Sequence, residues 1–332
     1  GEDSMLKTPI DVLQQFPVRK TKAQKQAFRD AITDYASISG YPVFVESGKK
    51  GCQNLVIGDP ASAKYLVTAH YDTPARMPVA NRLYADNPMM YVLWQFVIAL
   101  RSMLLPVLSG AACAAIACFA DLQLHPDADP NRLLGLAALV FLGVFLLLYG
   151  LSYLLLQIGP ANPSNANDNT SGVVTLLEIM HSLPEKQRNK VCFVLFDRNE
   201  RGLQGSAAYR KLHRNETDGQ LVLNLSCVGD GDHIFLHPTA KLKKDTAAIA
   251  PIYKCCGYFG KKSILVMEKN TAIYPSDHKN FPYALGISAY HKGKSGHYID
   301  RIHTPRDTNL DITNINLLRA AIISLICRDA AQ

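Results

Sequence analysis

The sequence predicts an α/β fold with a mixed, largely parallel central sheet, interrupted by an inserted apolar helical hairpin. Three observations carry this. Short β-like runs alternate with amphipathic helical stretches along most of the 332 residues, the pattern of layered α/β domains. Several of these runs end on acids, histidines or polar turns, where such sheets collect functional residues. Nearly all the excess apolar character lies between Met89 and Ile158. The chain therefore divides into a discontinuous α/β domain, residues 1–87 and 159–332, and an inserted hairpin, residues 88–158.

In chain order, "GEDSMLKTPIDVLQQF" lacks the apolar core of a secretory signal. "KTKAQKQAFRDAITDYASISG" has capping-box spacing at Thr21 and Gln24, helical apolar periodicity and a closing Gly40. The runs "QNLVIGD" and "AKYLVTAH" read as strands split by the turn "PASA". Beyond the apolar block, "SGVVTLLEIMHSLP" is a helix stopped by Pro184. "KVCFVLFD", "GQLVLNLSCVG", "SILVMEK" and "GISAYHKG" are buried strands. "DITNINLLRAAIISLICRDA" is a terminal amphipathic helix capped near Asp311 or Thr313.

Within the insertion, Ser102–Ala120 and Leu133–Ile158 carry no charge. Each is long enough to cross the roughly 30 Å hydrocarbon core of a bilayer as a helix. Core helices of this length usually keep a polar face, so a transmembrane hairpin is preferred over a buried one. The loop between them holds Asp121, Asp127 and Asp129, whereas Arg76, Arg82 and Arg101 flank the other side. The positive-inside tendency puts the α/β domain in the cytoplasm.

A composition of 48% hydrophobic and 19% charged residues supports a sizeable core. The net charge of +7 comes from dispersed Lys and Arg, without a basic run interleaved with aromatics, which argues against nucleic-acid binding. The eight cysteines form no CxxC pair and suit reduced, mostly buried thiols.

Chemistry gathers at strand ends. "AHYDT" places His70 and Asp72 two apart, so the carboxylate can orient the imidazole, as carboxylates do for metal-binding histidines. On its own this pattern is also that of a surface histidine beside an acid. "NPSNANDNTSGVV" leads Asp168 into a helix, either as an elaborate N-cap or as a carboxylate that bridges cations. Glu200 follows the buried run "VCFVLF", Ser226 stands at the end of "LVLNLS", and "YIDRIHTPRDT" presents His303. A His, Asp, Glu, His set is one that zinc accepts.

In order, "TAHYDT", "NANDNTSG", "NERGLQGS", "NLSCVG", "SDHKNF" and "IHTPRDT" resemble the motifs of the co-catalytic di-zinc aminopeptidases, metallopeptidase family twenty-eight. That family also holds glutaminyl cyclases, glutamate carboxypeptidase and non-catalytic relatives such as the transferrin receptor and nicastrin. The resemblance runs from about Thr21 to the C-terminus apart from the insertion, and looks closest to a membrane-associated bacterial branch carrying such a hairpin. It implies a mixed sheet of about eight strands with helices on both faces, and removal of N-terminal residues from peptides. By position, it implies His70 as a ligand of one zinc with Asp72 behind it, Asp168 bridging two, and Glu200 and His303 completing the second.

Two positions depart from the family pattern. Asn199 stands where a glutamate acts as general base, and an amide cannot accept a proton at neutral pH. Ser226 stands where an aspartate ligates the His70-side zinc. The expectation is one firm zinc and a weakened or absent second. Asp197, Asp230 and Asp232 are the available substitutes for the base. The expected partners are a peptide substrate or ligand and a membrane, with room for a homo-oligomer. A catalytically impaired, membrane-tethered peptide-binding or scaffolding protein is the alternative.

Overall fold

The computed structural model describes residues 6–77, 79–267 and 276–328. The start of the chain, the last two residues of the run expected as a strand at 263–269, and the final residues after Arg328 lie outside them. The chain separates into two compact units, Gly1–Tyr91 with Ala161–Gln332, and Val92–Pro160.

Among the described residues, the first unit has eleven strands: β1 (Val43–Ser47), β2 (Gln53–Ile57), β3 (Tyr65–His70), β4 (Leu83–Tyr84), β5 (Val191–Phe196), β6 (Leu221–Leu225), β7 (His233–Pro238), β8 (Gly257–Phe259), β9 (Lys262–Val266), β10 (Ala284–Gly293) and β11 (Gly296–Ile299). Their order is β1-β2-β5-β3-β6-β10-β7-β9-β8, with β11 on β10 and β4 on β11. Pairing is parallel through β5-β3-β6-β10 and between β7 and β9, and antiparallel elsewhere. The parallel centre explains the unbroken apolar runs read from the sequence. Every residue of β3 and of β5 is buried, as strands covered on both faces require.

Alternation divides these strands between two cores. Val67, Phe193 and Leu195 face one cluster with Phe28 and Ile32 of helix Lys22–Ile38, Leu176 of helix Ser171–Ser182, and Leu318 of helix Ile312–Arg328. Leu66, Val194 and Phe196 face the other, with Tyr209 and Phe281. Full burial of each such side chain contributes about 1.5–3 kcal/mol. The first helix starts as its spacing predicts: Thr21 Oγ1 accepts the Gln24 N–H at 3.2 Å while Gln24 Oε1 accepts the Thr21 N–H at 3.0 Å. Gly40 ends it at φ +82°, where a side chain would be strained. The terminal helix takes Asp311, whose carboxylate accepts the Thr313 N–H at 2.8 Å.

The thiols are less buried than expected: Cys52, Cys192 and Cys227 are buried, but Cys113 is exposed and the other four are half-buried.

In the second unit, helices Pro88–Leu124 and Pro130–Ile158 form an antiparallel pair. Pro106, Gly110 and Ala114 are the buried residues of the first helix, a seam of small residues at four-residue intervals. A Cβ at Gly110 would stand 3.0 Å from the Phe141 ring, so the helices approach closely there. Arg132 closes the loop end on Asp121 at 2.7 Å. Large apolar side chains such as Leu105, Phe119, Leu139 and Leu147 remain exposed. Both helices are long and apolar enough to be candidate membrane spans.

Candidate metal centre

The carboxyl end of β3 delivers His70, 2% exposed, into the floor of a small cleft. Its Nδ1 lies 3.2 Å from the Asp72 carbonyl oxygen and 3.6 Å from the Asp72 carboxylate. The nearer partner is therefore backbone. The Asp72 carboxylate has other work: its two oxygens accept the N–H groups of Asn199 at 3.0 Å and Glu200 at 3.2 Å. One short segment thus holds the imidazole and fixes the turn that follows β5.

The polar run around Asp168 does not cap the helix after it; Thr170 at the N-cap makes no side-chain capping bond. Its side chains instead bind the chain leaving β6. Asn167 Oδ1 accepts the Gly229 N–H at 2.8 Å, Asn169 Oδ1 accepts the Cys227 N–H at 3.0 Å, and Ser171 Oγ accepts the Val228 N–H at 3.0 Å. Asn169 also donates to the carbonyls of Leu225 and His70. This lashing needs close approach, and a Cβ on Gly172 would stand 2.5 Å from the Leu225 carbonyl oxygen. The Asp168–Asn169 peptide is cis. Asp307 secures the segment from the far side, accepting the N–H groups of Asn167 and Asp168 at 2.8 and 3.0 Å.

Asp168 lies between two histidines. His70 Nε2 is 3.4 Å from its Oδ1, and His303 Nε2 is 3.0 Å from its Oδ2. Glu200 reaches His303 at 3.6 Å. His70, Asp168 and Glu200 each offer a ligand atom within 4.8 Å of the others. Electrostatics follow from this packing. Burial opposes charge on His303, but Glu200 and Asp168 outweigh it and lift its pKa to about 9. His70 is likewise raised by Asp168 and Asp72 against its burial. Burial pushes Asp168 up, and the two histidines together hold it far below the usual carboxylate range. Glu200, where burial and the Asp168 charge prevail over His303, rises to about 7.

Asn199 sits beside this group with its amide committed. Its Nδ2 donates to Asp277 Oδ2 at 2.8 Å, and Ser206 donates to the other oxygen of the same carboxylate. Asp277 is fully buried, and burial raises its pKa. The cleft, about 200 Å³, brings together His70, Asp168, Asn199, Glu200, Ser226 and His303. Several residues around it hold left-handed backbone without being glycine: Leu203, Cys227 and His303 at φ 57°, 54° and 62°. Such conformations persist only where surrounding structure imposes them, and they concentrate at functional sites.

None of the substitute bases lines this cleft. Asp197 is held by Lys25 at 2.7 Å, Asp230 by His291 and Asn309, and Asp232 by Lys262. Asp277 and Asp307 were not assigned roles from the sequence. Both lie inside the quoted motifs "SDHKNF" and "IHTPRDT", which was the available signal.

The donor set fits a divalent cation. A carboxylate with an imidazole nitrogen on each oxygen is arranged to bridge, and Glu200 adds an anionic ligand on the His303 side. The neutral Ser226 also lines the cleft.

The parallel-centred sheet carries this donor cluster at its strand ends, where a catalytic metal can be held. The chain belongs to Peptidase family M28, whose profile matches residues 155–326. The fold is similar to the glutaminyl cyclase of Porphyromonas gingivalis, at TM-score 0.58 and 16% identity, over 97% of each chain. It is equally similar to a Zn-dependent exopeptidase from Parabacteroides distasonis, at TM-score 0.58 and 16% identity, over 98% of this chain and 97% of that one. The LapA aminopeptidase of Legionella pneumophila matches at TM-score 0.56 and 12% identity, over 100% of this chain and 73% of the other. Among curated proteins, no sequence matches. Family and donor set together support zinc as the metal.

Proposed function

We propose that the chain is a membrane-tethered, zinc-dependent hydrolase of aminopeptidase type, removing N-terminal residues from peptides at a rate held down by Asn199. The observation that carries this reading is Asp168 between His70 and His303, with Glu200 adjoining, on the floor of the cleft. At about 200 Å³ the cleft is smaller than the roughly 300–1,000 Å³ of ordinary ligand pockets, which suits a single terminal residue.

Bound there, zinc supplies Lewis-acid polarisation of the scissile carbonyl and a water of lowered pKa. Asp168, Glu200 and His303 are the residues that would hold the firm ion, with His70 on the weaker side next to Ser226. Asp72 keeps Glu200 in place through the backbone of its turn. Asn199 directs its amide N–H at Asp277 and takes up no proton, so the usual acceptor at this position is missing.

The neutral pair Asn199 and Ser226 also favours a second reading, a peptide-binding or scaffolding protein on the same fold. Hydrolysis of aminoacyl-nitroanilides separates the two. For the hydrolase, Asn199→Glu raises kcat by about 10²–10⁴-fold, the usual contribution of general acid–base catalysis. Equal rates in parent and variant would sink the attenuation argument. Inactivity in both, and in Asn199→Glu with Ser226→Asp, alongside retained peptide binding, establishes the binding protein.

The hairpin is read as a transmembrane anchor with the α/β domain on the cytoplasmic side. A full-length chain that is soluble and monodisperse without detergent contradicts the anchor, and protease protection in oriented vesicles decides the side.

A further inference from the structure

We propose that Arg19 is a positioning residue for the metal centre, its guanidinium fork holding the Asp168 loop against the end of β3 that carries His70. The proposal rests on the metal-centre reading above. Arg19 lies just before helix Lys22–Ile38 and is fully buried. Its Nε donates to the carbonyl of Tyr71, the residue between His70 and Asp72. Nη1 and Nη2 each donate to Thr170 Oγ1 at 3.1 Å, two residues beyond Asp168, and Nη1 also donates to the Phe16 carbonyl. The backbone repeats the link. The Arg19 N–H donates to Thr73 Oγ1 at 2.9 Å, and the Arg19 carbonyl accepts the Thr73 N–H at 3.2 Å. Nearby, the Pro17 carbonyl accepts Asn165 Nδ2 at 2.8 Å, at the start of the Asp168 loop. One short segment thus joins the two stretches of chain whose ligand atoms, His70 Nε2 and Asp168 Oδ1, stand 3.4 Å apart.

Stability alone does not account for a guanidinium here. Among the described residues, every hydrogen-bond acceptor of this side chain is neutral. Its remaining neighbour of note is the Phe28 ring, 5.3 Å from Cζ. Burying a charge without an adjoining carboxylate is costly, and a neutral side chain would avoid that cost. The charges that bear on it belong to the metal centre. Burial lowers the Arg19 pKa to about 10, opposed first by Asp72 and then by Asp168. A fixed cation in turn offsets the mutual repulsion of carboxylates crowded at one site.

Asp168 must stand where each of its oxygens meets a histidine. Asn169 ties its loop to β3 by donating to the His70 carbonyl at 3.2 Å. Arg19 adds a second tie one residue further along, at Thr170. Only a planar fork reaches acceptors on two segments at once; an ammonium is a point charge. Metal–ligand distances tolerate about 0.2 Å, so a small slip of the loop along β3 would spoil the shared carboxylate.

The test measures zinc affinity of the full-length chain in detergent, by competition with a chromophoric chelator. The visible absorption of the cobalt-substituted protein reports ligand geometry alongside it. Arg19→Lys keeps the charge but cannot span Tyr71 and Thr170, whereas Arg19→Met removes both charge and fork. The zinc dissociation constant should rise about 10–100-fold in Arg19→Met, the usual loss when a residue supporting metal ligands is removed, and at least about tenfold in Arg19→Lys. The cobalt bands should change in both. Where Arg19→Met does not fold, Thr170→Val keeps the guanidinium, removes one end of the tie and carries the same expectation. Leu318→Ala, a core truncation on the terminal helix, should lower stability and leave both readings unmoved. Zinc affinity and cobalt bands equal to the parent's in Arg19→Lys or Thr170→Val overturn the proposal, as does an equal shift in Leu318→Ala. A parent chain that binds no zinc overturns the metal centre itself, which separates that failure from this one.

Discussion

Two pairs of histidines, of which only His303 is partly exposed at 19%, have opposite chemistry in this molecule. His237 and His278, between β7 and the start of β10, are driven by burial to pKa values of about 4 and about 3, with Lys279 adding to both shifts. His70 and His303 are raised instead, His303 to about 9, because Asp168, Glu200 and Asp72 stand against them. The first pair is a neutral packing element; His237 Nε2 meets the Tyr290 hydroxyl at 3.0 Å, and the His278 ring lies where a Cβ on Gly286 would be, 2.7 Å away. Burial alone therefore makes an inert imidazole. The placement of carboxylates makes a metal centre.

That contrast can be broken most sharply at Asp168. Asp168→Asn removes the charge both histidines share, and metal affinity is expected to fall more than about 100-fold, beyond the usual effect of residues that merely support ligands. Zinc content equal to the parent's after dialysis would show that the carboxylate is not what distinguishes the pair. Next in size is acid sensitivity. The His237 and His278 rings stay neutral in the fold, whereas in the unfolded chain they take up protons below about pH 6.5. The unfolded state then binds more protons, so stability present above pH 6.5 is lost progressively toward about pH 4, by about 3 kcal/mol for each ring. Thermal melts across this range measure the loss, and His278→Asn should flatten the profile; an unchanged profile removes these residues from the explanation. Ser226→Asp adds a carboxylate to the His70 side and should tighten a second zinc by at least about tenfold, read by competition with a chromophoric chelator. Asp72→Asn weakens two charge-assisted bonds to backbone and should lower stability by about 1.5–3 kcal/mol. If its effect appears only in metal affinity, the contact with His70 matters more than the hold on the turn.

The sequence displayed much of this, and unevenly. Parallel strands buried on both faces write themselves as apolar runs, so β3, β5 and β6 were legible together with the polar residues at their ends. His70, Asp168, Glu200 and His303, which the fold brings together, stand out in the sequence because each follows such a run or stands in a motif of ordered resemblance. β1 was not, since Phe44 and Val45 lie exposed on an edge and no half-buried alternation marks them. β7 was missed because "HIFLHP" mixes histidines into a short strand. The double duty of Asp72 could not be read at all. Two apart, it looked like a partner for His70, and only the folded chain brings the amides of Asn199 and Glu200 to its oxygens. The same holds for Asp277, a motif residue whose grip on Asn199 spans distant segments.

The strand order has a consequence for how the chain is made. β3 lies between β5 and β6, and both of these are encoded after the apolar hairpin. A ribosome therefore releases β3 with two open edges, and the hairpin emerges before either neighbour exists. Until β5 arrives, the amino-terminal segment can satisfy little beyond the β1–β2 pairing. Exposed apolar strands are prone to aggregation, so this interval is the vulnerable one in biosynthesis. Because the pairs that end it close across the whole insertion, replacing the hairpin with a short linker would speed completion of the sheet more than it would change the finished fold's stability.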